Sequence, residues 1–594
     1  MTRDLSAPAG NFSGLVRILL VLLTGLLVRF EQAYPAGMVT AEGNLVRVET
    51  KTFKAVLDRG LIVSLVRKSD GAELVSTSAD QKQALQLIYR RQEAVSLGYE
   101  IGDRFRCIQI NDNLVHVRIE SWYGDAVIAV SADPETGELV IEPGGYASRP
   151  GLRACRWVLA GIKPGLELVA PFFQGVRLAF EETLVKNSHW NWPHFWEAGL
   201  VILQGDKGGF WVHCRDNRFR YKSLQVGMPG DDRCLGFETE AYGPIDDNLG
   251  AGGLAWRINV YDGGWEVPAA IYRDWLAKAY NLEDKVRPAW VDEVSLALSW
   301  VHSDPALLDA LAAKVKPERV LLHVSEWRSD PYDENYPTFQ PSAQGEQFIR
   351  KARAMGFHAM PHFNSIDMDP TNPAYNYLRD FQYRDIETGR VQGWAWYQGS
   401  TKPVPESNAA RTRHRDKKTM VKIHPGLGMW RSILAENILP AAQKLQLEIV
   451  FLDVTLCSWN VRNGLVENTT PTEGMKRLES LIGSLGHGLA VGGEGRNEIT
   501  MQDQAFAQVH LYQSWQSNTE GLERLVTCPL DEFLFGKWCR SFGYTALSGR
   551  TPAEQLRMKL HQDLGAVPTI TVRSAADITN PNPAVKAILE GAAK

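Results

Sequence analysis

The chain has few cysteines and lacks the short motifs of several large enzyme classes. Its 594 residues include seven cysteines, with no C-x-x-C pair and no histidine cluster at metal-ligand spacing, so zinc is not indicated. A G-x-S-x-G elbow, a P-loop, an H-E-x-x-H helix and a G-x-G-x-x-G turn after a strand are also missing. These absences disfavour several hydrolase, nucleotide-binding and dinucleotide-binding classes, and we predict no metal and no cofactor.

Positive charge is not in excess either. The formal net charge is −5, which gives no broad basic surface and makes nucleic acid an improbable partner. No repeat of 20–50 residues and no low-complexity tract interrupts the chain. Aromatic residues are abundant, with 18 Trp and 18 Tyr. Their rings suit sugar-binding surfaces, although the same side chains also fill cores.

One long apolar run stands near the N-terminus. Residues 18–28 (ILLVLLTGLLV) follow Arg3 and Arg17, and their length suits a signal-peptide core better than a membrane-spanning helix. Residues 1–36 are therefore expected to be a signal peptide, with an uncleaved membrane anchor as the alternative because the cleavage site is poorly defined. The protein is expected to be secreted, periplasmic or attached to the cell envelope.

In the rest of the chain, the pattern of apolar and polar residues changes once. Residues 37–265 contain short alternating or apolar segments separated by Gly, Asn and Asp, which predicts a large β-sandwich. Residues 266–290 form a predicted linker helix and junction. Residues 291–575 then alternate apolar runs with amphipathic helices, which predicts a (β/α)8 TIM barrel, and residues 576–594 add a C-terminal helix. The predicted barrel strands are 294–300, 319–324, 358–363, 420–423, 449–453, 489–492, 524–527 and 567–572.

Polar residues follow these predicted strands, where a barrel places its active site. The expected ring at the barrel mouth comprises Trp300, His302, Glu326, Arg328, His362, Asn364, His424, Asp453, Glu494, Arg496 and Asp531. Any single member also has a structural explanation, because barrels use such side chains to bind loop backbones.

Two acids differ from the others. Asp453 ends the apolar run that opens residues 448–460 (EIVFLDVTLCSWN), and a polar loop follows it. Glu494 likewise ends the apolar run that opens residues 488–498 (GLAVGGEGRNE). A carboxylate at the end of a buried strand is costly without a functional partner. Two such acids suit glycoside hydrolysis, with Asp453 as nucleophile and Glu494 as general acid/base.

An aromatic segment lies in the predicted sandwich. Residues 187–197 (NSHWNWPHFWE) contain three Trp, two His and one Phe. One interpretation is a seam between the domains. The other is a loop over the barrel mouth, in which Trp190, Trp192 or Trp196 stacks on a sugar ring.

The chain resembles a family of retaining α-glycosidase barrels related to endo-α-N-acetylgalactosaminidases and to the melibiase-like α-galactosidase superfamily. The resemblance rests on FLDVT at Asp453, GGEGRNE at Glu494, and the segments DENYPTFQP (333–341), MPHFN (360–364), PGLGMWR (425–431) and CPLDEFLFGKWCRSFGY (528–544). It implies a galactose-mutarotase-like supersandwich before the barrel and an Asp nucleophile. It further implies sugar-binding or supporting roles for Asp333, Tyr336, His362, Asn364 and Arg431.

We therefore predict a glycoside hydrolase that cleaves α-linked oligosaccharides or polysaccharides with retention of configuration. The two carboxyl groups would then lie about 5–5.5 Å apart, whereas inversion needs about 6.5–9.5 Å. The alternatives are a non-catalytic glycan-binding protein on the same scaffold and a non-hydrolytic carbohydrate-active enzyme.

Overall fold

The computed structural model describes residues 38–80, 82–98, 102–180, 187–285, 287–397, 400–413, 418–456, 458–511 and 526–594. The predicted signal peptide or anchor of residues 1–36 lies outside these ranges. Within them, no helix combines the length and apolarity needed to cross a membrane. The predicted order of a β-rich first half followed by a barrel is confirmed.

The first half is built from antiparallel sheets. A five-stranded sheet pairs Met38–Glu42, Leu45–Glu49, Phe53–Asp58, Leu61–Arg67 and Glu73–Ser76 in chain order. Alternation between buried and accessible residues in Phe53–Asp58 shows why these segments are strands, since one face packs on the core and the other meets solvent.

Two larger sheets complete the sandwich. The six-stranded sheet contains Leu85–Ile88, Ala94–Leu97, Ala154–Leu159, Ser188–Asn191, Lys222–Met228 and Asp231–Glu240. The eleven-stranded sheet contains Arg104–Asn111, Leu114–Ser121, Gly124–Ala132, Leu139–Ala147, Glu167–Ala170, Val176–Leu178, Leu200–Gly205, Gly208–Cys214, Gly250–Gly252, Trp256–Asp262 and Val526–Thr527. Short 3-10 turns lie at Arg90–Gln92, Pro317–Arg319, Arg379–Phe381 and Thr500–Gln502.

The second half contains eight parallel strands, numbered here as barrel strands 1 to 8. They are Leu296–His302, Val320–Glu326, His358–Asn364, Ile449–Asp453, Ala490–Glu494, Gln504–Val509, Arg540–Gly543 and Thr569–Ile570. Strand 8 pairs with strand 1, and a parallel bridge between Phe542 and Val567 joins strands 7 and 8. The sheet thus closes on itself, as in a TIM barrel.

Side chains fill the barrel interior. Leu321, Met360, Phe451 and Phe506 are buried in one cluster. Gly492 of barrel strand 5 makes room for this packing, because a Cβ atom there would lie 2.6 Å from the Met360 sulfur. The barrel interior below the mouth is therefore filled by packed side chains.

The described ranges contain twelve α-helices. They are Glu266–Ala279, Ala289–Glu293, Pro305–Ala312, Ala343–Ala354, Tyr375–Leu378, Asn408–Arg413, Gly428–Leu445, Pro471–Leu485, Leu530–Phe535, Pro552–Asp563, Ala575–Thr579 and Pro583–Ala592. Several begin with a capping side chain. Asp304, for example, accepts a hydrogen bond from Ala306 N before Pro305–Ala312.

Two of the eight predicted barrel strands are wrong. Residues 420–423 belong to Thr419–Lys422, which pairs antiparallel with Asp367–Met368 and Gly393–Tyr397 in a separate four-stranded sheet. The fourth strand, Ser400–Lys402, pairs antiparallel with Gly393–Tyr397 and forms a hairpin with it. This inserted sheet lies in the chain between barrel strands 3 and 4, so Thr419–Lys422 is an insertion and not a barrel strand.

The other error concerns residues 524–527, of which 526 and 527 are described. Val526–Thr527 pairs antiparallel with Val176–Leu178 and extends the sandwich. Barrel strands 6 and 7 were not predicted. Gln504–Val509 carries polar side chains that point to buried partners, and Arg540–Gly543 is only four residues long, so neither forms an apolar run.

Glu498 joins the two halves of the molecule. Its Oε1 accepts hydrogen bonds from Gly199 N at 3.1 Å and from the Tyr272 hydroxyl, and its Oε2 accepts one from Trp192 Nε1 at 2.9 Å. The sandwich loop, the first helix and the barrel thus meet at one buried carboxylate. The six cysteines in the described ranges form no disulfide, and Cys457 lies outside those ranges.

Candidate active site

Asp453 and Glu494 end neighbouring parallel strands at the same edge of the barrel. Barrel strands 4 and 5 pair in matched register from Ile449 with Ala490 to Leu452 with Gly493, so each acid is the next residue on its strand. Asp453 is 5% exposed and Glu494 is 7% exposed. The sequence prediction that both acids terminate buried strands agrees with this arrangement.

Both oxygens of Glu494 have protein partners. His510 Nε2 lies 2.7 Å from Oε1, and Val454 N donates to Oε2 at 3.1 Å. The Thr455 hydroxyl donates to Glu494 O at 2.7 Å, while Glu494 N lies 2.9 Å from the same hydroxyl oxygen. The loop after barrel strand 4 therefore fixes the backbone and the carboxylate of Glu494.

Val454 connects the two acids through an unusual backbone conformation. It directly follows Asp453 and has φ of 65°, in the left-handed region that β-branched residues rarely adopt. This conformation accompanies the hydrogen bond from its N–H to Glu494. Strain of this kind concentrates at functional sites, where the surrounding structure holds it.

Two histidines form a chain that ends at Asp453. Trp300 N donates to His323 Nδ1 at 3.4 Å, so the proton of a neutral His323 lies on Nε2, which is 3.2 Å from His362 Nδ1. The proton of His362 then lies on Nε2, 3.4 Å from Asp453 Oδ2. Burial lowers the pKa of His323 to about 3 and that of His362 well below its usual value. Both rings are therefore neutral, and His362 Nε2 lies near Asp453 without a hydrogen bond to a described residue.

Asp453 belongs to a cluster of buried acids. Burial, followed by the charges of Glu494, Asp367 and Asp333, raises its pKa well above the usual value, while Lys422 opposes the rise. Lys422 Nζ lies 3.3 Å from Asp367 Oδ1. Asp453, Asp367 and Asp333 are three buried carboxyl groups with raised pKa values near one ammonium group, and they cannot all ionise cheaply.

Asp333 faces the inserted sheet. Its Oδ2 accepts hydrogen bonds from Trp394 Nε1 at 3.1 Å and from Trp396 Nε1 at 2.5 Å. Its Oδ1 is buried without a hydrogen-bond partner among the described residues. Burial and then the charge of Asp367 raise its pKa to about 6, although the two indole groups act in the opposite direction. The free oxygen is an acceptor available to a ligand hydroxyl.

Asn364 supports this region. Its Nδ2 donates to Asp367 Oδ2 at 2.8 Å, and its Oδ1 accepts from Ile366 N and Asp367 N at 3.0 and 2.8 Å. Asp367 in turn binds Lys422, which lies 4.0 Å from the centre of the Trp394 ring. Asn364 therefore orients the acid cluster through Asp367.

Aromatic rings surround Trp300. The centres of the Tyr332 and Tyr544 rings each lie 5.7 Å from that of Trp300, both edge-to-face, and the His362 ring centre lies at 5.4 Å. Trp300 has φ of 60°, and its Nε1 is buried without a hydrogen-bond partner in the described ranges. Tyr336 is also buried, with a hydroxyl that lacks such a partner and with the Arg328 guanidinium 4.3 Å from its ring centre. These polar tips on an apolar wall suit a sugar ring.

The aromatic segment of residues 187–197 forms a seam, and its tryptophans are buried and not available to stack on a sugar ring. Trp190, Trp192 and Trp196 are at most 2% exposed and pack inside the sandwich and its seam. His194 instead reaches the barrel, where its ring stacks on Trp459 with centres 5.3 Å apart. Burial, then the charges of His510 and Lys422, lowers the pKa of His194 to about 3. The sandwich thus contributes a neutral histidine beside the barrel site, while its tryptophans are enclosed.

Several residues of the expected ring lie in other environments. Glu326 is exposed and lies 3.2 Å from His302 Nδ1. His424 Nδ1 accepts from Gly426 N at 2.9 Å, and Arg431 donates to the carbonyls of Pro425 and Gly426 at 2.6 and 2.8 Å. These two side chains therefore shape the turn before Gly428–Leu445.

Arg496 is fully buried on the far side of the Glu494 loop. It donates to Asp531 Oδ2 at 2.9 Å, to Glu532 Oε2 at 2.6 Å and to Cys539 O at 3.0 Å. Burial raises the pKa of Asp531 to about 6 even though Arg496 lowers it. Arg496 thus links two barrel loops and donates its hydrogen bonds within the protein. Trp192 likewise donates its indole N–H to Glu498.

Sequence reasoning missed five groups at the site. His323 lies inside a predicted strand, and Lys422 and Trp394 lie in the insertion that was partly assigned to the barrel. His510 and Tyr544 follow barrel strands 6 and 7, which were not predicted. Had barrel strands 6 and 7 been predicted, the polar residues just beyond them would have identified His510 and Tyr544.

The fold has counterparts among solved structures, although sequence similarity is low. Residues 254–463 match the model of a domain family of unknown function, DUF6259. No curated protein sequence matches the chain. The α-N-acetylgalactosaminidase NagBb from Bifidobacterium bifidum, in its Gal-NHAc-DNJ complex, is 12% identical with a TM-score of 0.64 over 92% of this chain and 93% of that chain.

Its GalNAc complex is also 12% identical, with a TM-score of 0.62 over 93% of this chain and 92% of that chain. The α-galactosidase TtGalA from Thermus thermophilus, in complex with stachyose, is 12% identical with a TM-score of 0.49 over 81% of this chain and 99% of that chain. Across nearly all of its length, the chain therefore shares the overall fold of the α-N-acetylgalactosaminidase NagBb.

Proposed function

We propose that the protein is a glycoside hydrolase that cleaves α-linked glycans with retention of configuration. The observation that carries the proposal is the placement of Asp453 and Glu494 at the ends of neighbouring strands in matched register. Neighbouring strands lie about 4.8 Å apart, which favours the short carboxyl separation of retaining enzymes over the wider one of inverting enzymes. The fold shared with NagBb supports an α-linked N-acetylgalactosaminyl substrate.

The reaction would proceed in two displacements. In the first, an Asp453 oxygen bonds to the anomeric carbon as the glycosidic bond breaks, and Glu494 transfers a proton to the leaving oxygen. In the second, Glu494 takes a proton from water, the water oxygen bonds to the anomeric carbon, and the ester bond to Asp453 breaks. Each displacement inverts the anomeric centre, so the product keeps the α configuration.

The surrounding groups support this division of roles. His362 Nε2 lies 3.4 Å from Asp453 Oδ2, and a small rotation of either side chain would let its N–H group stabilise the ionised nucleophile. His510 and Val454 N hold the two oxygens of Glu494, which fixes the orientation of its carboxyl group. Asp333, with its unpartnered Oδ1, would accept a hydrogen bond from a sugar hydroxyl, and Trp300 would cover an apolar face of the ring.

The test uses 4-nitrophenyl α-N-acetylgalactosaminide, α-galactoside and a panel of other α-linked aryl glycosides. Proton NMR of the first product formed identifies its anomer, and retention requires the α form. Glu494→Gln should reduce turnover by about 10²–10⁴-fold, the usual contribution of a general acid/base. Asp453→Asn should remove turnover while leaving thermal unfolding cooperative.

Asp309→Asn is the matched control, because it makes the same change at an exposed carboxylate on Pro305–Ala312. If Asp453→Asn or Glu494→Gln retains a native rate on a glycoside that the native protein cleaves, the assignment of that residue fails. A β-anomeric first product would contradict retention even if both variants were inactive.

The proposal also includes export and the nature of the sandwich. The apolar segment of residues 18–28 after Arg17 supports a signal peptide or anchor and a secreted or envelope location. N-terminal sequencing of the protein recovered from culture medium and membranes distinguishes cleavage from anchoring. The order of the antiparallel sheets before the barrel supports a galactose-mutarotase-like supersandwich.

A further inference from the structure

A second cleft lies on the six-stranded sheet of the sandwich. Its volume is about 520 Å³, within the range of about 300–1,000 Å³ that small-molecule sites occupy. Five side-chain amides line it, those of Gln83, Gln86, Gln92, Asn187 and Gln225. None of these residues belongs to the barrel site.

The sheet presents a row of polar side chains on the face below this cleft. Strand register places one residue of each of the six strands directly opposite the next, in the order Ser96, Gln86, Arg156, Glu238, Ser223 and Asn191. Residues directly opposite on paired strands share a face. The row lies on the sheet face opposite the core side chains of Leu85, Trp157, Phe237 and Leu224. Because Arg156, Glu238 and Ser223 are nevertheless buried, they require either internal pairing or a polar ligand.

Internal pairing accounts for the charges in this row. Arg156 donates from Nε and Nη2 to Glu238 Oε1 at 2.8 and 2.5 Å, and His189 Nε2 lies 2.9 Å from Glu238 Oε2. At the cleft edge, Lys82 Nζ lies 3.1 Å from Asp231 Oδ2. The positive and negative groups are therefore matched in pairs, which favours an uncharged ligand over an anion or a cation.

A metal ion does not fit here despite a suitable set of atoms. His189, Glu238 and Glu240 bring ligand atoms within 4.8 Å of one another. Arg156 already supplies positive charge to Glu238, and Asn460 Nδ2 donates to Glu240 Oε2 at 3.0 Å. A cation would have to compete with both contacts.

The amides differ in their unused hydrogen-bonding capacity: Gln225 Nε2 already donates to Asn187 Oδ1 at 3.3 Å and to Gly227 O at 2.9 Å, whereas Gln86 retains more. Gln86 Oε1 accepts from Arg156 Nη1 at 3.0 Å and its Nε2 donates to Ser96 Oγ at 3.3 Å, which uses one donor and one acceptor position. A side-chain amide offers two donors and two acceptor positions. Hydroxyl groups both donate and accept, so vicinal hydroxyls match such amides, while Val158 and Met228 provide apolar surface for C–H groups.

Gly236 keeps the bottom of the cleft free of an additional side chain. A Cβ atom at this position would lie 2.6 Å from Arg156 Cδ and 3.0 Å from Met228 Cε. Any side chain there would push Arg156 or Met228 into the space above. The cleft and its buried ion pair therefore depend on each other.

We propose that this cleft is a second carbohydrate-binding site, which takes a neutral saccharide and acts separately from the barrel mouth. The same sheet also contacts the barrel, since Glu240, two residues after Glu238, binds Asn460 in the loop that follows barrel strand 4. A glycan held in the cleft would thus be retained on the domain that packs beside the catalytic barrel. The proposal concerns binding alone and does not require hydrolysis.

The experiment uses a printed array of neutral oligosaccharides with sialylated counterparts on the same slide. The full chain carrying Asp453→Asn is labelled and applied, so that turnover does not remove the probes. Ala94→Trp, added to this background, fills the cleft from an exposed position without removing a hydrogen bond. Gln225→Leu removes one lining amide without adding bulk and serves as the second variant. Thermal unfolding establishes that each variant is folded.

Val127→Trp is the matched control, because Val127 is an exposed position on the other large sheet. At least one neutral glycan should lose tenfold or more of its signal with Ala94→Trp and with Gln225→Leu, and none of it with Val127→Trp. The proposal is overturned if no array glycan binds the Asp453→Asn chain. It is equally overturned if binding is unchanged by both cleft variants, or if only sialylated glycans respond. The barrel assignment is unaffected by any of these results, because it is tested by turnover.

Discussion

Replacement of His510 by alanine tests how the barrel holds its proposed acid. His510 Nε2 lies 2.7 Å from Glu494 Oε1, the Tyr544 ring centre lies 4.0 Å from that of His510, and Gln174 Nε2 donates to His510 O at 3.0 Å. Glu494 and Tyr544 thus hold the imidazole, while the sandwich holds the backbone of His510. We expect His510 to be a positioning residue that orients the Glu494 carboxyl group toward the leaving oxygen.

The magnitude follows from the hydrogen bond that is lost. Because Glu494 is protonated when it acts as the acid, the bond is one between neutral groups and contributes about 0.5–1.5 kcal/mol. If all of it is expressed in the transition state, kcat/KM falls by about 2- to 13-fold, since 1.36 kcal/mol corresponds to a factor of ten. His510→Gln, which can place an amide nitrogen near the same carboxyl oxygen, should recover part of this loss.

The assay compares two leaving groups on the sugar that the native protein cleaves. A phenyl glycoside needs protonation of its leaving oxygen, whereas a 2,4-dinitrophenyl glycoside departs with little assistance. His510→Ala should therefore reduce kcat/KM for the phenyl glycoside far more than for the dinitrophenyl glycoside. Equal losses on both substrates would refute the reasoning, because a general structural defect has no preference for a leaving group. His116→Gln, on the sandwich strand Leu114–Ser121, provides the control substitution.

Three further predictions concern other contacts. Asp333→Asn should remove a pH dependence of stability: the folded pKa of about 6 exceeds the ordinary value of 3.8, so the native protein loses about 3 kcal/mol relative to the variant as pH rises from below 4 to above 6, measured by chemical unfolding at each pH. A native protein whose stability relative to the variant does not fall over this interval would contradict that pKa. Trp396→Phe should raise KM more than it lowers kcat, because the indole N–H that orients Asp333 is lost; steady-state kinetics that show only a kcat effect would contradict a binding role. Trp192→Phe should lower the free energy of unfolding by about 1–3 kcal/mol, because Glu498 loses a buried donor, and an unchanged denaturation midpoint would show that this contact contributes little.

The sequence predicts the parts of the site that depend on local pattern. Asp453 and Glu494 each follow an apolar run, and burial of such a run determines both the strand and the position of its terminal acid. His362 and Asn364 were found in the same way at the end of barrel strand 3. A continuous apolar run is sufficient for the strands of Asp453 and Glu494, because each strand is buried on both faces.

Contacts between residues far apart in the sequence could not be predicted in this way. Asp333 binds indole groups 61 and 63 residues away, and nothing in either segment specifies that pairing. Barrel strand 6 was missed because Gln504 and Gln508 bring buried polar side chains into it, the latter binding Ser299 Oγ at 2.8 Å. Arg496 and His424 were expected at the mouth because each follows an apolar run, yet the loop geometry directs each of them to partners of its own.

The strand Val526–Thr527 has a consequence for biosynthesis. It covers Val176–Leu178 at the end of the eleven-stranded sheet, although it is translated about 350 residues later. At about 5–20 residues per second, that sheet edge stays open for about 20–70 s on the ribosome. An open edge invites pairing with other chains, so the nascent sandwich would benefit from a chaperone until the C-terminal part emerges. Truncations that stop before residue 526 should accordingly accumulate as aggregates.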